Sequence, residues 1–259
     1  MQKSLIPEKK TNEWLEFISR LGLISIDEAR KVFLSGDYTQ LSDMGQKSLY
    51  IAGKGKTLSL EGNLIGSKMS LDEAQLLAET RNAEQGFPGK DEVLAYVNYE
   101  RAVFFEKHGE FFNGLSSYRA AKRSAESKTL NAVIDYHISA HELETGSGSS
   151  IAESESWIKY FQQHNMRVMH LLAYRRLAKY FRGKRDYQSS RDLLLKSLDL
   201  GTDYNYPFIV EQIKNSYGYL IYRMGGIQEA REVFKGLSEG LLSKYLYSTV
   251  LENLTLTYY

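Results

Sequence analysis

Cysteine is absent from this chain, so no disulfide framework, zinc-thiolate site or thiol nucleophile can form, and a reducing compartment is favoured. Proline is scarce: Pro7, Pro88 and Pro207 are the only three in 259 residues, which suits long helices because proline breaks helix interiors. Net charge is nearly missing as well. With 33 Lys and Arg against 32 Asp and Glu the balance is +1, so no global attraction to nucleic acid or to a membrane surface follows. Long apolar runs are lacking: nothing approaches the roughly 20 residues of a membrane span, and Met1 to Lys10 has no secretory apolar segment. These absences predict a cytoplasmic protein without a membrane partner. What is present, 42% hydrophobic and 25% charged residues, suffices for one large core or two smaller ones.

One stretch, Ile51-Ala52-Gly53-Lys54-Gly55-Lys56-Thr57, ends like a phosphate-binding loop. Such a loop needs a glycine five residues before the Gly of its Gly-Lys-Thr, because both glycines shape the nest of backbone N–H groups, and it must leave a buried strand. Tyr50 occupies the glycine position, and Gln46 to Tyr50 is not a Val/Ile-rich strand. The stretch is therefore expected to be a basic helix end or loop leading into a helix near Leu58 to Gly62, with no nucleotide cofactor.

Internal similarity dominates the rest of the chain. Ser25 to Phe33, Ser70 to Ala78 and Gly226 to Phe234 share an apolar residue, a Glu-Ala pair and a second apolar residue one helical turn later, and the first two carry Ser-x-x-Glu capping boxes. Weaker copies run from Glu110, Ser150 and Asp186. Their small landmark residues, Ala29, Ala74, Gly114, Ala152, Ser190 and Ala230, are spaced 45, 40, 38, 38 and 40 apart. Twelve residues before most landmarks stands another small residue, namely Gly62, Ala102, Ala140, Ala178 and Gly218, while Phe17 breaks the rule in the first copy. Paired small residues let two antiparallel helices approach closely, so each unit is predicted to be a helical hairpin.

The pattern from Ser216 to Phe234, with its small residue, aromatic, loop glycine, Ala230 and Phe234, resembles the tetratricopeptide repeat (TPR). Leu177, Ala178, Phe181, Tyr187, Ser190 and Leu194 follow it almost as well. The periods exceed the usual 34 residues, as in the lengthened arrays of peptide-pheromone receptors and large bacterial transcription activators, which these look like. The resemblance implies an all-α fold, a right-handed α-solenoid of about six TPR-like hairpins. An N-terminal tail, residues 1–11, would precede one superhelical domain over 12–259. Asn253 to Tyr259 reads as the first helix of a seventh hairpin without its partner, so the chain is expected to be a fragment of a larger protein with further domains beyond Tyr259.

Charge is locally one-sided. Between Ser156 and Arg185 there is no acidic residue, and Arg175, Lys179 and Arg182 recur at i, i+4 and i+7 on one helix face. By the TPR resemblance, the positions three before and one and four after the small residue of each first helix face a concave groove. These are Arg175, Lys179 and Arg182; Asn215, Tyr219 and Tyr222; His137, His141 and Glu144; and Tyr99, Val103 and Glu106. Arginines beside Tyr and Asn can take a carboxylate-bearing or phosphorylated peptide through bidentate contacts and stacking. A solvated basic face is the bland alternative, and single-stranded or RNA binding, with Tyr174, Tyr180 and Phe181 interleaved, is the rival class. His137 and His141 have metal-ligand spacing but no third ligand in sequence, so groove-lining or core histidines are expected and no metal. No catalytic constellation is legible, and the expectation is a regulatory or scaffolding module that binds a protein or peptide and is not an enzyme.

Overall fold

A computed structural model describes residues 26–36, 38–41, 43–80, 90–240 and 244–258. The expected tail at 1–11, the start of the array at Asn12 and the exceptional Phe17 lie outside the described residues. Among the described residues there are twelve α-helices and no strand, so the fold is all-α. Contacts divide the chain into two compact units, Met1–Ile138 and Ser139–Tyr259.

The first unit contains α1 (Ile26–Phe33), α2 (Met44–Leu60), α3 (Leu64–Glu79), α4 (Lys90–Lys107), α5 (Phe111–Ser124) and the start of α6 (Lys128–Thr145). Here α2 packs on α3 and α4 on α5 as hairpins. Tyr50, fully buried, anchors the turn after α1: its hydroxyl has Val32 O at 2.8 Å and Gly36 O at 2.9 Å. The Gly53–Thr57 stretch is neither a loop nor a helix end but the interior of α2, and its backbone N–H groups are committed to that helix. Packing explains its glycines. A Cβ on Gly53 would lie 2.5 Å from the Phe33 ring, and one on Gly55 would lie 2.8 Å from Leu71 Cγ. Lys56 Nζ reaches Glu100 Oε1 at 2.8 Å, where the Tyr96 hydroxyl also donates, so this lysine neutralises a buried carboxylate.

The second unit contains the rest of α6, then α7 (Ile151–Gln163), α8 (Arg167–Gly183), α9 (Tyr187–Tyr204), α10 (Pro207–Arg223), α11 (Ile227–Ser238) and α12 (Lys244–Leu256). Its hairpins are α8 with α9 and α10 with α11. The landmarks Ala178 and Ser190 meet as the sequence required, with Ser190 Oγ donating to Ala178 O at 2.8 Å, while Gly218 makes room for the Phe234 ring, 2.8 Å from its would-be Cβ. In the first unit Gly114 likewise faces Ala102 O, at 3.3 Å from its would-be Cβ.

Two landmarks are misplaced. Ala152 is exposed, and the buried small residue of α7 is Ser154, two positions on, because α7 starts directly after its N-cap Ser150. Gly62 lies outside any helix, in the exposed α2–α3 turn with φ +78°, so its role is conformational rather than close packing.

Turn chemistry repeats more faithfully than side chains do. Gly109, Arg185 and Gly225 all take positive φ after the first helix of a hairpin. In each case the next N–H bonds back to the helix, with Glu110 N to Phe105 O at 2.9 Å, Asp186 N to Phe181 O at 3.0 Å and Gly226 N to Ile221 O at 3.0 Å. These are Schellman closures, and they satisfy carbonyls that the helix ends would otherwise leave unpaired.

Candidate functional site

Helix α8 displays the basic run because Leu171, Ala173, Leu177 and Ala178 are buried and turn the cations outward. Lys179 is exposed, while Arg175 and Arg182 are only half-buried, so they are not the freely solvated positions that charge patterning suggested. Each of them reaches a first helix of a neighbouring hairpin. Lys179 Nζ lies 3.0 Å from Glu144 Oε2 on α6, and Arg176 Nε donates to the other oxygen at 2.9 Å. Arg175 Nη1 donates to Gln212 Oε1 on α10 at 2.5 Å. Arg182 stacks over the Tyr219 ring of α10, 4.8 Å from its centroid, and the exposed Arg223 approaches the same ring at 6.0 Å.

Farther along, Asn253 Nδ2 of α12 donates to Asn215 Oδ1 at 3.0 Å, and Tyr222 lies with its ring 6.2 Å from that of Tyr219. Within the second unit the structure therefore gathers Arg175, Lys179, Arg182, Asn215, Tyr219 and Tyr222 on the first helices α8 and α10, flanked by Glu144 of α6 and Asn253 of α12. Burial pulls the Arg182 guanidinium below its usual range and the charge of Arg223 adds to this, while Tyr219 opposes it. The Tyr219 and Tyr187 phenols beside Arg223 shift that group the opposite way, upward.

Of the two placements expected for the histidines, groove or core, they take the core one. His137 and His141 share α6, but both are buried, at 9% and 7% exposure, rather than lining an open groove. His137 belongs to the first unit, where it stacks on Tyr118 at 4.9 Å with Nδ1 2.9 Å from the Tyr118 hydroxyl. That hydroxyl also lies 2.8 Å from Glu106 Oε2. One arrangement satisfies all three groups: the phenol donates to Glu106 and accepts from a protonated Nδ1. Tyr99 completes the cluster, its hydroxyl 3.5 Å from His137 Nε2. Three positions selected by the groove rule, Tyr99, Glu106 and His137, thus meet in a half-buried aromatic core. Among the described residues, no group of three or more His, Asp or Glu could hold a metal ion, and no helix is long and apolar enough to cross a membrane.

Arg176, Gln212, Arg223 and Asn253 were not among the candidate site positions, Arg176 standing only as one of the basic residues of the acid-free window. Arg223 follows Tyr222 and falls one position off the helical spacing that selected Tyr219 and Tyr222, while Gln212 and Asn253 carry no charge to attract notice. The Arg176 contact spans 32 residues to Glu144, short of the 38 to 45 residues of the repeat, so the period did not select it.

No protein-family model matches the chain, and no curated protein matches it. A solved structure, BtubC (BKLC) from P. vanneervenii, is 15% identical with a TM-score of 0.49 over 90% of this chain and 91% of that one.

Proposed function

We propose that this chain is a regulatory or scaffolding module of TPR-like hairpins in a right-handed α-solenoid, and that it acts by binding an acidic or phosphorylated peptide segment rather than by catalysis. The face of α8 and α10 that carries Arg175, Lys179, Arg182, Asn215, Tyr219 and Tyr222 is the binding surface. The observation that carries this reading is the run of cationic and aromatic side chains along the first helices, where a solvated charge run would instead point away from neighbouring helices. Guanidinium groups beside tyrosine rings offer directional donors to carboxylate or phosphate and a flat apolar surface to the peptide. Glu144 tempers the charge and holds Arg176 and Lys179 in place, so an acidic segment would exchange with it for Lys179.

The test is fluorescence anisotropy with labelled peptides of graded acidity on the intact chain and on the Arg175→Ala/Lys179→Ala double variant, with Lys235→Ala on α11 as control. Binding should weaken by about 1.5 to 3 kcal/mol for each lost charge-assisted contact. Equal affinity in the double variant and the parent would remove this face from consideration. A salt series on labelled single-stranded RNA separates the rival class, because phosphate-backbone binding falls steeply with salt in proportion to the contacts made.

A further inference from the structure

On α8 three of the four cations considered above have polar partners: Arg176 and Lys179 hold Glu144, and Arg175 holds Gln212. Arg182 has none. It is half-buried, its guanidinium stacks on Tyr219, and among the described residues no carboxylate pairs with it or with Arg223. A cation withdrawn from water without a counter-ion is costly, and the face of a tyrosine ring returns only part of that cost. A second guanidinium on the same ring raises the cost further, since like charges repel. Tyr187, the first residue of α9, adds a phenol next to Arg223, and the nearby Asp186 carboxylate is taken up in capping α9 through Ser189, with Ser189 Oγ at 2.7 Å.

We propose that Arg182 and Arg223, framed by Tyr219 and Tyr187, form a subsite for the phosphate dianion of a phosphorylated serine or threonine side chain. Two guanidiniums arriving from α8 and α10 can each donate to different oxygens of one phosphate, whereas a carboxylate has two oxygens and is satisfied by one fork. A phosphate monoester carries close to two negative charges at neutral pH, which matches two cations that no carboxylate of the described residues neutralises. This subsite rests on the peptide-binding reading above and names the modification that the peptide would carry.

The experiment is a titration of the intact protein with the blocked amino acid N-acetyl-O-phosphoserine amide, followed by NMR of the arginine Nε–H groups. The Arg182 and Arg223 signals should shift together and saturably, and N-acetylserine amide should leave them unmoved. Arg223→Gln, at an exposed position, should weaken binding at least about tenfold, as loss of one charge-assisted contact requires. Arg182→Lys keeps the charge and the stem over Tyr219 but loses the fork, and it should weaken binding comparably without unfolding the unit. Shifts spread over all arginines, or an affinity unchanged in Arg223→Gln, would overturn the proposal. So would a single-stranded oligoribonucleotide that perturbs these two arginines equally well, since its phosphates are monoanions. Peptides that bind regardless of phosphorylation would remove this subsite while leaving the peptide face, and phosphoserine binding without affinity for any peptide would do the reverse.

Discussion

Adding one methyl group at Gly218 tests the claim that small residues bring the helices of a hairpin together. A Cβ there would lie 2.8 Å from Phe234 Cε1 and 3.0 Å from both Phe234 Cζ and Val233 Cγ1. Phe234 is fully buried, so its ring cannot swing into solvent to make room. Overpacking of this kind costs about 1 to 3 kcal/mol. Alanine is the better helix former by roughly 0.8 to 1 kcal/mol, which offsets part of the loss. The expected net effect of Gly218→Ala is a destabilisation of about 0.5 to 2 kcal/mol, read as a lower urea midpoint at unchanged slope. Gly236→Ala, on α11 with no neighbour within 4 Å of its would-be Cβ, should instead gain up to about 1 kcal/mol. Pairing Gly218→Ala with Phe234→Leu vacates the contested space, so the double variant should be more stable than the sum of the singles predicts, by about 0.5 kcal/mol or more. If Gly218→Ala is as stabilising as Gly236→Ala, the α10–α11 approach is not tight and the landmark argument fails.

Arg185 holds positive φ where the equivalent turns use Gly109 and Gly225, so Arg185→Gly should stabilise the second unit by about 0.5 to 1 kcal/mol, and a loss in the same urea titration would contradict this. Glu144→Gln removes the partner of two cations while Arg176 keeps only 13% of its side chain exposed; a cost of about 1 to 2 kcal/mol that shrinks in high salt is expected, and no change in the melt would mean that the pair contributes nothing. His170 is 1% exposed with Nδ1 3.2 Å from the Tyr204 hydroxyl, and burial, reinforced by Lys196, holds its pKa below the usual 6.5. The unfolded chain then binds the proton more readily, so this stabilisation is complete above about pH 6.5 and is lost as the pH falls from there towards the folded-state value. His170→Leu should flatten stability between pH 7 and 5, and an unaltered pH profile would refute the assignment. Calorimetry with ATP and magnesium should show no saturable heat, because Gly55, Lys56 and Thr57 lie inside α2; micromolar binding abolished by Lys56→Ala would overturn that.

The all-α class was legible from the sequence because small residues recurring near a 40-residue period, with few prolines, can be accommodated by paired helices and by little else. The pairings of Ala102 with Gly114 and Ala178 with Ser190 followed from that period without any coordinates, whereas the period paired Gly218 with Ala230 and only the structure set it against the Phe234 ring. Register was legible only where the copies were strong. In α7 the pattern is weak, and the helix start set by the Ser150 cap left Ala152 outside and Ser154 inside. Likewise Gly62 carries the right residue type at the right spacing, but a glycine serves a tight helix crossing and a positive-φ turn equally well, and only the backbone distinguishes them. The basic stripe could be read from i, i+4, i+7 spacing, since neighbours on one helix are fixed by helical geometry alone. Which of its cations are neutralised could not, because Glu144, Gln212 and Tyr219 reach α8 from other hairpins, more than 30 residues away along the chain. Tertiary packing alone gave Arg175, Arg176 and Lys179 their partners and left Arg182 with Arg223 on a shared ring, and that difference in pairing follows from which side chain each neighbouring helix presents.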